Sequence, residues 1–247
     1  MLRNSFIFLD RVGQRTERGL WDSGVRSWND FLTAGKVDGF SSAKKSWADR
    51  GIGRAKQAIL EGDVRFFHQA LPSTETWRIL DTFSDVAYVD IETSHTYGSI
   101  TVVGVYDGLD TKMFVRGFNL DPKALYDELA RHEVIVTFNG ASFDLPIIQR
   151  FLGRPLPRLP HVDMRHVCAR VGLSGGLKKI EQELGITRPD HIRHVYGADA
   201  VMLWHKWERT RDRKYLDLLI EYNQEDILNL EPLVRTIVPR LWNQTFG

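Results

Sequence analysis

The spacing of apolar positions changes character near residue 84. Beyond that point, short runs of β-forming residues alternate with helical periods. Val86–Glu92, Val-Ala-Tyr-Val-Asp-Ile-Glu, predicts a strand that gives way to a loop at Thr93, Ser94 and His95. Ser99–Tyr106, rich in Val and Ile, predicts a second strand. Asp107-Gly108-Leu109-Asp110 predicts a hairpin turn, and Lys112–Arg116 the returning third strand. Asp121 and Pro122 read as the cap and first residue of a helix to about Ala130. Val134–Phe138 follows as a fourth strand and Asp144–Phe151 as a helix. After Leu152 the pattern gives loops and helices, ending in an amphipathic stretch from Arg213 to Trp242 that Glu231-Pro232 should break or bend. The order β-β-β-α-β-α predicts an α/β domain with a mixed sheet and helices on its faces.

The first 78 residues contain no clean alternating strand. The pattern from Phe6 to Phe31 predicts a short apolar helix, a turn at Gly13, a second helix from Thr16, a stop at Gly24, and another short helix capped by Ser27. This arrangement resembles the helix-hairpin-helix modules that grip a nucleic-acid backbone, with Gln14, Arg15 and Arg18 as the contacting residues. The family's Gly-Ile-Gly turn is Val12-Gly13-Gln14 here, one glycine short. A small helical cap is the competing reading. Lys44–Lys56 holds five positive charges around a Gly51-Ile52-Gly53 turn, which also suits a solvated helix face. The expected organisation is a helical region over 1–80 and a main domain over 81–247.

At 247 residues the chain suits one large domain, or a core domain with an appendage. No apolar run reaches the roughly 18 residues of a membrane span, and the N-terminus lacks a signal-peptide pattern. A single cysteine, Cys168, leaves no intramolecular disulfide and no Cys-rich zinc site. These features predict a cytoplasmic protein with no membrane partner. Net charge is +1, but residues 1–78 carry 13 Lys+Arg against 9 Asp+Glu, and the remainder carries 20 against 23. A mildly basic front and an acidic back fit a nucleic-acid-contacting appendage on a carboxylate-bearing domain.

Those carboxylates cluster in three places. Asp90 and Glu92 lie two apart on the first strand, so both project from one face. Adjacent anions repel unless a cation or proton sits between them, and a hard divalent ion with oxygen ligands is the natural occupant; an exposed acidic strand end is the competing reading. Asp144 opens a helix just after the fourth strand, in Thr137-Phe138-Asn139-Gly140-Ala141-Ser142-Phe143-Asp144; a simple capping role would explain it equally well. Tyr222 and Asp226 lie four apart and share a helix face with Leu219, Leu230 and Leu233, directed to the core. A carboxylate on such a stripe needs a partner.

Together, Asp90-Ile91-Glu92, Asn139…Phe143-Asp144 and Tyr222…Asp226 resemble the three motifs of the DEDD 3′–5′ exonucleases, which include the proofreading domains of family B DNA polymerases and small stand-alone enzymes. The resemblance spans roughly residues 84–235, and His161–Arg170 and Gly175–Lys178 also look like the polymerase type. Position 221 is Glu and position 222 is Tyr, which matches the family's Tyr branch rather than its His branch. The resemblance implies an RNase H-like fold with a mixed five-stranded sheet. It implies phosphodiester hydrolysis with two Mg²⁺ or Mn²⁺ ions held by Asp90, Glu92, Asp144 and Asp226, and Tyr222 orienting the attacking water. Thr93, Asn139 and Phe143 flank the acids and are candidates for holding the terminal nucleotide. The implied substrate is single-stranded DNA, with RNA left open.

Other readings compete. His191-x-x-His194, with His161 and His166 nearby in sequence, has a spacing compatible with zinc. Asp163 either supports the acidic site or only starts a helix. Trp204, His205, Lys206, Trp207, Arg209, Arg211, Arg213 and Lys214 interleave aromatic and basic residues as single-strand binding surfaces do, although Trp residues three apart on a helix also suit a core. A structure-selective endonuclease or a non-catalytic nucleic-acid-binding module are the alternative functions.

Overall fold

The structure is a computed structural model and describes residues 1–94, 99–195 and 197–247. His95 therefore lies outside the described residues. Contacts divide the chain into two compact units, Met1–Ser84 with Arg158–Pro160 and Val238–Gly247, and Asp85–Pro157 with His161–Ile237.

The first unit is helical. It contains α1 (Gln14–Asp22), α2 (Trp28–Thr33), α3 (Ser42–Glu61) and α4 (Val64–Ala70), followed by a 3₁₀ stretch at Ser73–Asp81. Its core holds Leu2, Phe6, Phe31, Ile52, Phe67 and Trp77. The expected helix at Phe6–Leu9 is absent: these apolar residues are buried in an irregular segment. Their backbone finds other partners. Glu17 Oε1 accepts from Phe6 N at 2.6 Å and Ile7 N at 3.1 Å, so a side chain from α1 replaces the helical ladder. Glu17 is buried and is balanced by Arg78 Nη1 at 2.8 Å; Arg78 also contacts Glu75 at 2.7 Å.

Helix α1 starts at Gln14 rather than Thr16, with Gly13 as its cap. The Gly51-Ile52-Gly53 turn is likewise not formed, because α3 runs straight through it. Gly51 serves packing there: a Cβ at this position would lie 2.7 Å from Leu9 Cδ2. Arg15 and Arg18 are exposed, with Arg18 over the Trp21 ring, whereas Gln14 is occupied by Glu75 at 2.9 Å.

The second unit carries the expected five-stranded mixed sheet, flanked by helices. Its strands are β1 (Val86–Ser94), β2 (Ser99–Tyr106), β3 (Thr111–Val115), β4 (Val134–Thr137) and β5 (His161–Asp163), ordered β3-β2-β1-β4-β5. The β1–β2 and β2–β3 pairs are antiparallel; β1–β4 and β4–β5 are parallel. Strand β1 continues to Ser94, past the predicted end at Glu92, with a register shift between Glu92 and Thr93. Strand β5 lies in the stretch expected to hold only loops and helices. At three residues it is too short for its alternation to be read, and pairing with β4 makes it a strand.

Helices α5 (Pro122–Ala130), α6 (Asp144–Leu152), α7 (Met164–Arg170), α8 (Leu177–Leu184), α9 (Asp190–Arg193), α10 (Gly197–Thr210), α11 (Arg213–Leu228) and α12 (Leu230–Phe246) follow. The final break falls at Asn229, ahead of Pro232. This places Pro232 in the first turn of α12, where a helix does not need its N–H. Helices α10 and α11 bury Leu203, Trp204, Leu216 and Leu219 against Val102 and Val115 of the sheet. Trp204 is thus core, not an exposed stacking platform, while Trp207 packs beside it and meets Phe118.

Replacing Arg78 by Ala leaves two buried carboxylates without their cation and should destabilise the protein by about 3–5 kcal/mol, read as a lower urea midpoint. Arg78→Lys should recover only part, because an ammonium cannot reproduce the guanidinium fork.

Candidate active site

The sheet gathers the acidic motifs at one end. Strand β1 pairs with β4 only from Val86 to Tyr88, so Asp90 and Glu92 lie past the last residue pair that links the two strands. The Asn139–Asp144 segment leaves the end of β4, and Asp163 ends β5. Carboxyl ends of parallel strands are where open α/β sheets form crevices.

Helix α11 brings Asp226 to the same place. Ligand oxygens of Asp90, Glu92 and Asp226 all lie within 4.8 Å of one another. Glu92 and Asp226 are buried and Asp90 is half-buried. Among the described residues this is the one group of three His, Cys, Asp or Glu side chains close enough to share a metal ion. The zinc alternative finds no support in that search: His191 pairs with Glu221 at 2.7 Å, and His161 with Thr137 at 2.8 Å.

Asp144 stands beside the trio. Its Oδ1 accepts from the backbone N–H of Ile91 at 3.0 Å, between Asp90 and Glu92 in sequence. The capping reading of Asp144 is therefore incomplete, since its carboxylate joins α6 to β1. Asp163 does more than start α7. It accepts from Asn139 N at 2.7 Å, Ala141 N at 3.1 Å and Arg165 N at 3.1 Å, which fixes the loop leading to Asp144. Within that loop Asn139 adopts φ +67°, and its Oδ1 accepts from Arg165 Nη1 at 2.7 Å. Phe143 is exposed on the same loop, and Thr93 sits at the register shift of β1.

Two neighbours of the acids are not singled out by sequence reasoning. Asn223 Nδ2 donates to Asp90 Oδ2 at 2.7 Å. Gly104, opposite Asp90 on β2, makes room for it: a Cβ there would fall 2.4 Å from Asn223 Oδ1. The available signal is the position of Asn223 directly after Tyr222, together with a lone glycine in a Val-rich strand. The second neighbour is Arg188, in the loop between α8 and α9. Its Nη2 lies 2.5 Å from Asp226 Oδ1, and Nε and Nη2 reach Glu181 at 2.6 Å.

Burial dominates the electrostatics. It raises Asp90 well above the usual carboxylate range, with Asp144, Asp226 and Glu92 adding repulsion. Burial and the charges of Asp226 and Asp144 raise Glu92 in the same direction, opposed by Lys178. Asp226 is also raised by burial, against the pull of Arg188. Burial pushes Asp144 up to about 7 despite its backbone hydrogen bonds. The Tyr222 phenol is raised by burial and by Asp226, its hydrogen-bond partner. Such a set holds its anionic form poorly without added positive charge, and its all-oxygen donors fit a hard divalent cation.

These shifts set a pH dependence for the metal-free protein. Burial pushes Asp144 up to about 7 from the 3.8 of a free carboxylate, so between those values the native state keeps a proton that the unfolded chain has lost. Its stabilising contribution is full at the acid end of that window and is lost as pH rises through 7. Asp90, Glu92 and Asp226 shift in the same direction. In EDTA, Asp144→Asn should therefore flatten the decline of Tm between pH 5 and pH 7.5 relative to the unaltered protein. Gly104→Ala should drive Asn223 off Asp90 and cost about 1–3 kcal/mol by overpacking, seen in urea denaturation.

No curated protein sequence matches the chain. Among solved structures, the family B DNA polymerase from the hyperthermophilic archaeon Pyrobaculum calidifontis superposes with a TM-score of 0.52 at 16% identity, over 65% of this chain and 25% of the polymerase chain. Escherichia coli RNase D, an exoribonuclease involved in structured RNA processing, matches with a TM-score of 0.45 at 18% identity, over 70% of this chain and 42% of that one. The chain thus spans a quarter and about two fifths of the lengths of these two structures. The likeness to the polymerase is one of fold. A family model described as the RNase_H superfamily matches residues 87–238, which include every acidic residue of the cluster. The chain belongs to the RNase_H superfamily.

Proposed function

We propose that the protein is a metal-dependent 3′–5′ exonuclease of the DEDD type, Tyr branch, that hydrolyses phosphodiester bonds of single-stranded DNA. The observation that carries this reading is the convergence of Asp90, Glu92 and Asp226 within 4.8 Å, from a central strand and a helix, with Asp144 tied to the same strand. Residues far apart in sequence have no structural need to place so many carboxylates together, because the arrangement opposes folding unless a cation is bound.

In this reading Asp90, Glu92, Asp144 and Asp226 hold Mg²⁺ or Mn²⁺. Such ions supply Lewis acidity at the phosphate and lower the pKa of a bound water. The residues of the chain do the rest. Asn223 fixes the rotamer of Asp90, and Arg188 fixes that of Asp226. The raised pKa of Tyr222 keeps its phenol protonated, so the hydroxyl serves as a hydrogen-bond donor that positions the attacking water and not as a base. Exposed Phe143 offers a ring face to a terminal base, with Asn139 and Thr93 beside the acids. Exposed Arg15 and Arg18 of the helical unit offer charge to nucleic-acid phosphates. Charge and stacking of this kind do not select a sequence.

The test is Asp90→Asn. Removing one of the repelling charges should abolish hydrolysis of a linear single-stranded DNA and leave the metal-free Tm unchanged or higher. Persistent cleavage by this variant sinks the assignment. A closed circular single strand separates the endonuclease alternative, since an exonuclease leaves it intact.

A further inference from the structure

Arg188 does not spend its full donor capacity on Asp226 and Glu181. Its Nη1 is buried and has no hydrogen-bond partner among the described residues, although the side chain is only 4% exposed. An unmet N–H on a buried cation is rare in a native fold unless something else occupies it. Arg188 also lines a cavity of about 270 Å³, together with Lys178, Glu181, Thr187 and Arg193. Of the eight described residues that line it, three are cationic and one is anionic. The single anion, Glu181, already takes two hydrogen bonds from Arg188.

The cavity adjoins the acidic cluster through its own walls. Arg188 touches Asp226, and Lys178 Nζ lies 4.9 Å from the centre of the Tyr222 ring. An anion in the cavity therefore sits next to the carboxylates without joining them. We propose that this cavity is a phosphate-binding subsite that takes a phosphate group of the nucleic acid engaged at the acidic site, with the Arg193 guanidinium as donor and Arg188 Nη1 as a second donor that a shift of its side chain exposes. The proposal rests on the nuclease reading for the source of the phosphate, and on the orphaned donor and cationic lining for the site. Arginine suits this position because its planar fork serves a carboxylate on one edge and a phosphate on the other. Arg193 is half exposed and pairs with Asp190 at 3.0 Å, a surface ion pair that an entering phosphate can replace at small cost.

The experiment uses the full chain and a fluorescently labelled single-stranded oligodeoxynucleotide in EDTA, so that nothing is cut. Binding is followed by anisotropy between 50 and 200 mM salt. Arg193 is at the surface, so Arg193→Gln should keep the fold, which the far-ultraviolet spectrum and Tm verify. The expected result is about 5- to 10-fold weaker binding and a salt slope reduced by roughly 0.7, the value for one lost contact to a single strand. Arg188→Lys should show a comparable loss. Competition by a nucleoside 5′-monophosphate that is weakened in Arg193→Gln would assign the subsite to a terminal phosphate. A loss for the polymer alone would assign it to an internal diester. Wild-type affinity and slope in Arg193→Gln overturn the proposal. A parallel digestion of the same strand by the unaltered protein with Mn²⁺ separates the two claims: cleavage with unchanged Arg193→Gln binding removes only the subsite. Weakened binding without any cleavage removes only the nuclease.

Discussion

Mutual repulsion among carboxylates is the constraint around which the second unit is arranged. Asp90, Glu92, Asp144 and Asp226 are each pushed toward the protonated form by burial, and the first three also by other carboxylates of the set. Every conspicuous feature nearby reduces that strain without removing a charge. Asn223 donates to Asp90, the Ile91 amide donates to Asp144, and Arg188 donates to Asp226. None of these neutralises the whole set. The site is thus held in a state that added positive charge relieves, as expected of a binding site built ahead of its ligand.

The fold supplies this concentration through strand order. Placing β1 between β2 and β4 puts its acids at the middle of the sheet. Parallel pairing with β4 and β5 then directs the loop at Asn139 and the carboxylate of Asp163 to the same end. Asp163 ties that loop down with two backbone hydrogen bonds, which lets Asn139 keep a left-handed conformation that a non-glycine residue seldom holds. On the other side of β1, Gly104 leaves the gap through which Asn223 reaches Asp90.

Much of this was legible in the residues alone. Asp90-x-Glu92 on a strand and Tyr222 with Asp226 on a helix are local periodicities, and local periodicity survives folding. The three antiparallel strands and the helix opened by Asp121-Pro122 were legible for the same reason. What could not be read depends on tertiary approach. Phe6–Leu9 looks helical until Glu17 takes its amides. Gly51 looks like a turn until Leu9 packs on it. Strand β5 is defined by its partner, not its sequence. Arg188 lies in a loop with no pattern, and only the folded chain brings it to Asp226 and leaves one of its nitrogens unmatched.

The central claim is that the acidic cluster cuts nucleic acid from a 3′ end with the help of a divalent ion. A time course on a single-stranded DNA oligonucleotide labelled at its 5′ end, with Mg²⁺, Mn²⁺ or EDTA, tests it most directly. The account predicts a ladder of labelled products that shortens one nucleotide at a time with metal and is absent in EDTA. Immediate release of a labelled mononucleotide, a single internal cut, or no cleavage with either metal would contradict it.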